Sequence, residues 1–135
     1  MLPKLNGVDH LHVNVGSWSE AEQWYRSVLN FKRIDAFMSW AVQNGPLTVE
    51  NPEGTIHLAL FESDKPESTN VIAFGATGEQ FLKWKAHLEN QGLKLRVTDH
   101  TMAYSLYFGD PWGNSHEITT YERDYVAAKL ASDVA

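Results

Sequence analysis

The chain has 135 residues, of which 43% are apolar, 21% charged and 12% aromatic, the profile of one globular domain with a full core and no room for a second. Eleven basic against seventeen acidic side chains give a net charge of −6, which leaves no electrostatic footprint for a nucleic-acid backbone or an anionic membrane surface. The absence of cysteine excludes disulfides, zinc fingers, iron–sulfur clusters and thiol nucleophiles, so any metal must be held by His, Asp or Glu.

In chain order, the first strong period is Val8 to Val15, where Leu11, Val13 and Val15 alternate with His10, His12 and Asn14, a strand with two unlike faces. Ser19 with Glu22 forms a capping-box pattern that opens a helix. In it Ala21, Trp24, Tyr25, Val28 and Leu29 make one apolar stripe, ending near Asn30. Phe31 to Phe37 and Trp40 to Val42 read as extended, and turns at Asn44-Gly45-Pro46 and Asn51-Pro52-Glu53-Gly54 bracket strands over 47–50 and 55–62. A polar segment, Ser63 to Thr69, falls at the midpoint.

The second half repeats this order. Val71 to Gly75 reads as a strand, and Thr77 with Gln80 opens a helix bearing Phe81, Trp84 and Leu88 that stops at Gln91-Gly92. Strands over 93–97, 104–108 and 115–121 follow, the last two joined by the turn Asp110-Pro111-Trp112-Gly113-Asn114. Both halves therefore read strand, helix, strand, strand, strand, an internal duplication of a βαβββ unit. Module one covers about 7–62 and module two about 70–121, and an alanine-rich tail over 122–135 is compatible with a short helix. No apolar run approaches the roughly 18–20 residues of a membrane span. The segment Met1 to Asn6 lacks the apolar stretch of a signal peptide, so the expected compartment is the cytoplasm.

Two phrases carry a resemblance. Val8-Asp9-His10-Leu11-His12-Val13-Asn14-Val15, followed by a capped helix with Trp24-Tyr25-Arg26-Ser27-Val28-Leu29-Asn30-Phe31, is similar to the opening of the vicinal oxygen chelate superfamily. Tyr107-Phe108-Gly109-Asp110-Pro111-Trp112-Gly113-Asn114-Ser115-His116-Glu117 resembles its closing phrase. The superfamily includes lactoylglutathione lyase, fosfomycin-inactivating transferases, extradiol dioxygenases, methylmalonyl-CoA epimerase and bleomycin-resistance binding proteins. The resemblance implies a single α+β domain over 1–135, with two tandem βαβββ modules forming a curved mixed sheet around a cleft and helices on the outside. It also implies metal ligands on the first and last strands of each module, and a homodimer. Because these chemistries share one fold, the reaction has to be argued from the site.

Strand parity selects the cleft residues. With Leu11, Val13 and Val15 beneath the helix, His10, His12 and Asn14 face the cleft. With Ile56, Leu58 and Leu60 in the core, His57 and Ala59 face it. Ile72 and Phe74 leave Val71 and Ala73 on the cleft side, and Ile118 leaves Glu117, Thr119 and Tyr121 there, with His116 turned inward. His57 lies 47 residues after His10, and Glu117 lies 46 after Val71, as expected of equivalent strands in a duplicated unit. The four family positions thus read His10, His57, Val71 and Glu117, or Asn70 for Val71 if the register slips by one. His10, His57 and Glu117 are the metal candidates, a set suited to Fe2+, Mn2+, Ni2+, Co2+ or Zn2+. Val71 stands where the commoner triad of the superfamily has a His, and His57 stands where lactoylglutathione lyase carries a Glu that moves protons.

His12 reads either as an acid–base group or as a partner orienting a ligand. Tyr107 reads either as a donor to a bound oxyanion or as core with a satisfied hydroxyl. Asn14, Val71, Ala73 and Tyr121 are the substrate-pocket candidates, while Trp24, Tyr25, Phe81 and Trp84 read as core and His87 and His100 as solvated. The expectation is a metal-dependent enzyme that chelates two neighbouring oxygens of a small substrate, by lyase/isomerase or oxygenase chemistry. The rival is a metal-free protein that sequesters a small aromatic or drug-like ligand, with the acidic charge suiting a cation. A fosfomycin-type transferase is disfavoured because only Arg123 and Lys129 follow Glu117 as basic residues.

Overall fold

The alternation at the head of the sequence becomes β1 (Leu11–Val15), with Val13 and Val15 fully buried and His12 and Asn14 on the other face. The computed structural model describes residues 1–68 and 71–134 and divides into two units, Met1–Thr69 and Asn70–Ala135. Each is a βαβββ module, so the fold is α+β and built on a duplication. Among the described residues the strands form two four-stranded sheets, one in each unit.

In the first unit β1 is followed by α1 (Trp18–Leu29), β2 (Lys32–Arg33), β3 (Pro46–Glu50) and β4 (His57–Glu62), in the sheet order β1-β4-β3-β2. β1 runs parallel to β4 and the remaining pairs are antiparallel. Ala21, Tyr25, Val28 and Leu29 of α1 are buried with Val13, Val15, Leu58 and Leu60, and Trp24 is half-buried. Burial of such a stripe removes apolar surface at about 25 cal/mol per Å². Asn30 closes the helix in the left-handed region at φ 59°, a conformation asparagine tolerates better than most residues.

Four expectations need correcting here. The helix is capped by Ser17, whose side chain accepts from the Glu20 amide, not by Ser19. Trp18 is pinned by its amide to Glu62 at 2.8 Å and by its indole N–H to the Leu60 carbonyl at 2.8 Å. That tie sets the first turn two residues earlier. The 31–37 and 40–42 segments are not extended beyond the two residues of β2. Asp35–Trp40 is a 3₁₀ helix with the Phe37 and Trp40 rings stacked at 4.6 Å. Its return to β3 passes Gly45, where an added Cβ would sit 2.0 Å from the Trp40 carbonyl oxygen. Leu11, expected in the core, is exposed at the first position of β1, while Ala59, expected to line a cleft, is buried. Ile56 lies just before β4 and is half-buried.

The second unit has β5 (Ile72–Gly75), α2 (Gly78–Asn90), β6 (Arg96–Asp99), β7 (Tyr104–Gly109) and β8 (Ser115–Thr120), in the order β5-β8-β7-β6 with β5 parallel to β8. Thr77 caps α2 by accepting from the Gln80 amide, as its pattern predicts. Phe81, Leu88, Leu106, Phe108, His116 and Ile118 are buried. The strand expected over 93–97 instead occupies Arg96–Asp99. The tail forms α3 (Arg123–Val134), which packs on α2 of its own unit: Val126 is buried and Glu122, just before α3, accepts from the Gly78 amide at 2.8 Å. The end of the polar segment at Thr69, and Asn70 as the alternative site position, lie outside the described residues. No described helix is long and apolar enough to cross a membrane.

Candidate functional site

In the first unit the parallel register sets Leu11 opposite Leu58, so His10 and His57 each come one residue before that pair. The Nδ1 of His10 lies 2.8 Å from Asp9 Oδ2, and its Nε2 lies 3.1 Å from the Nε2 of His12. The two imidazoles are nearly parallel, with centroids 5.1 Å apart, and His12 also packs on Phe61 at 4.6 Å. His57 directs its Nε2 to Glu50 Oε2 at 3.1 Å, the residue opposite it on β3. Asn14 donates from Nδ2 to the Glu67 carbonyl at 2.9 Å. Thus His10 and His12 are brought together, whereas His57 is held by a carboxylate of the neighbouring strand.

In the second unit the register aligns Ala73, Glu117, Tyr107 and Arg96 across β5, β8, β7 and β6. Residues paired in this way share a face. Ser105, fully buried, donates to Glu117 Oε2 at 2.8 Å. The Tyr107 hydroxyl lies 2.9 Å from His100 Nε2, and the Arg96 guanidinium carbon lies 4.1 Å from the centroid of the Tyr107 ring. His100, expected to be merely solvated, is therefore a partner of Tyr107. Val71 is 53% exposed, and Tyr121, one residue past β8, is 83% exposed. A groove of about 540 Å³ is bounded by Val71, Lys94, Arg96, Tyr107, Phe108 and Ser115. Val71 and Tyr107 are the two expected site residues that line it.

His116 is turned into the core on the other face of β8 and ring-stacks with Phe74 at 5.9 Å. Burial pushes its imidazole down to about 4, with Asp110 opposing the shift.

The donor chemistry fits a divalent cation. An imidazole whose Nδ1 is braced by a carboxylate presents its Nε2 in a fixed direction, which is how metal-ligating histidines are oriented, and His10 with Asp9 has this arrangement. Glu117, held through one oxygen by Ser105, has the other oxygen to offer. Among the described residues, neither unit by itself gathers three or more His, Asp or Glu side chains as a metal cradle.

Asp9, Glu50, Ser105 and Arg96 are not site candidates from sequence, and His100 reads there only as solvated. Asp9 is adjacent to His10 and Ser105 shares the parity of Tyr107, so both were within reach of the strand pattern. Glu50, Arg96 and His100 depend on which residue lies opposite on the next strand, which a single sequence does not carry.

Residues 7–118 match the family described as the Glyoxalase/Bleomycin resistance protein/Dioxygenase superfamily. Among solved structures, an integron cassette protein from the mobile metagenome of the Halifax Harbour sewage outfall is 20% identical, covering 86% of this chain and 99% of that one with a TM-score of 0.73. A Bacillus anthracis protein described as of the glyoxalase family is 20% identical, covering 89% and 98% with a TM-score of 0.67. The fosfomycin resistance protein FosX of Listeria monocytogenes, solved with Mn(II) and a sulfate ion, is 16% identical, covering 94% and 99% with a TM-score of 0.67. At these identities the likeness is one of fold.

Proposed function

This chain belongs to the Glyoxalase/Bleomycin resistance protein/Dioxygenase superfamily, and from that membership we propose that it is a metal-dependent enzyme acting on a small substrate with two neighbouring oxygens. The observation that carries this reading is His10, an imidazole braced on Nδ1 by Asp9 with Nε2 turned to a second imidazole. His10, His57 and Glu117 are the residues that would hold the metal. The Mn(II) bound by the FosX of Listeria monocytogenes supports a divalent ion of the Mn2+, Fe2+, Co2+, Ni2+ or Zn2+ group. When bound, such an ion supplies Lewis-acid polarisation of substrate oxygens, compatible with lyase/isomerase or oxygenase chemistry.

The chain's own groups have distinct tasks in this reading. His12, packed on Phe61, is the group that moves a proton, because its Nε2 is the atom presented beside His10. The Tyr107 hydroxyl, held by His100, donates to an oxyanion. Ser105, on the same face of the neighbouring strand, holds Glu117 through Oε2. Asn14, Val71, Ala73 and Tyr121 are assigned to the substrate pocket. A homodimer in the cytoplasm completes the proposal.

Val71 favours a second reading. An apolar side chain at a family ligand position suits a metal-free protein that sequesters an organic ligand. Elemental analysis of protein purified without chelator separates the two. Near-stoichiometric metal, lost in both His57→Ala and Glu117→Ala, is expected of the enzyme. Metal-free protein at every stage that binds an aromatic ligand tightly would establish the sequestering reading instead.

A further inference from the structure

The groove beside β6 and β7 carries an unneutralised pair of cations in an acidic protein. Of the four arginines in the sequence, Arg26, Arg33 and Arg123 each form ion pairs with carboxylates. Among the described residues Arg96 forms none, and neither does Lys94 beside it in the groove. Arg96 instead sits over the Tyr107 ring, its guanidinium carbon 4.1 Å from the centroid. A guanidinium held against a ring in this way gives up rotamer freedom in advance while its N–H donors stay available, so little further ordering is needed to take up a planar anion. Tyr107 is itself fixed, since its hydroxyl is held by His100. Val71 and Leu95 add apolar wall to the groove.

From this we infer that the groove binds the carboxylate of a small organic acid, with Arg96 gripping both oxygens, Lys94 adding charge and the apolar body of the acid lying along Val71 and Leu95. The inference rests on the reading above in placing Val71 and Tyr107 in the substrate pocket, and it narrows the substrate to an anion. The sequestering alternative, by contrast, pairs the acidic charge with a cationic ligand. Only Arg123 and Lys129 follow Glu117 as basic residues, but the antiparallel register of β6 with β7 brings Arg96 opposite Tyr107.

The test is an NMR titration of the full chain, stripped of metal with a chelator, using benzoate as the probe and benzamide as its uncharged isostere. Saturable shifts at the amides of Arg96, Tyr107 and Ser115 are expected. Benzoate should bind about tenfold or more tightly than benzamide, the fold-change that a charge-assisted hydrogen bond supplies. Arg96→Gln should weaken benzoate by about the same factor. Arg96→Lys, which keeps the charge and loses the fork, should recover only part of it, and Lys83→Gln on α2 should leave binding unchanged. Equal affinity for benzamide, or wild-type affinity in Arg96→Gln, would overturn the inference. Benzoate binding by a chain that never takes up metal sustains it while removing the metal-enzyme reading. Metal uptake without benzoate binding removes only the inference.

Discussion

His10, just before β1, and His12, on it, bring their Nε2 atoms to 3.1 Å while Asp9 occupies the other nitrogen of His10. The contact fixes the protons in the neutral pair. With Nδ1–H of His10 donating to Asp9, its Nε2 must accept, and Nε2–H of His12 must donate. In the proposed reading, a cation held by His10 Nε2 would take the place of His12 there and leave that imidazole available to move a proton.

Asp9→Ala is expected to lower metal affinity by about 10–100-fold, because the imidazole loses the carboxylate that orients it. Competition against a chromophoric chelator measures this directly, and wild-type affinity in the variant would show that Asp9 does not orient His10 toward a metal.

Burial lowers His116 from 6.5 to about 4. The unfolded chain then binds the extra proton between those values, so the stabilisation is complete above 6.5 and is lost as pH falls through about 4. The whole shift corresponds to roughly 3 kcal/mol. Urea midpoints at pH 7 and pH 4.5 should drop more in the wild type than in His116→Phe, and an equal drop in both would locate the acid sensitivity elsewhere.

The Asp110 turn is a buried cage. Its Oδ1 accepts from the amides of Trp112 and Asn114 at 2.9 Å each, and its Oδ2 accepts from Asn114 Nδ2 at 2.8 Å. Asp110→Ala leaves the Asn114 amide groups buried without that acceptor and should cost about 2–3 kcal/mol. A chemical-denaturation midpoint within error of the wild type would contradict this.

Gly78 lies where α3 meets α2. An added Cβ would come within 2.6 Å of the Tyr125 ring and 3.2 Å of Glu122 Cβ, so Gly78→Val should displace α3 at a cost of about 1–3 kcal/mol. Limited proteolysis should then release the C-terminal segment first, and a resistant tail would show that α3 accommodates the side chain.

Much of each module was legible because its signals are local. The alternation of Val13 and Val15 with His12, the Thr77–Gln80 cap and the inward turn of His116 depend on neighbours in sequence. The helix start was misread where two capping boxes overlap, Ser17 with Glu20 and Ser19 with Glu22. The bonds from Trp18 to Leu60 and Glu62, more than forty residues away, decide between them. The 3₁₀ helix was missed because Phe37 and Trp40 suit an extended strand by type and gain their contact only when the chain turns.

By itself the sequence determined the duplicated α+β architecture, the alternation of faces within β1, β4 and β8, and the exclusion of cysteine ligands. Periodicity and composition are properties of a single strand or helix, and they can be read without a partner. The tertiary structure alone decided what each candidate side chain touches: Glu50 for His57, Ser105 for Glu117, and Arg96 with His100 for Tyr107. Those pairings follow from the register between strands, which turns and core packing fix together once the chain has folded.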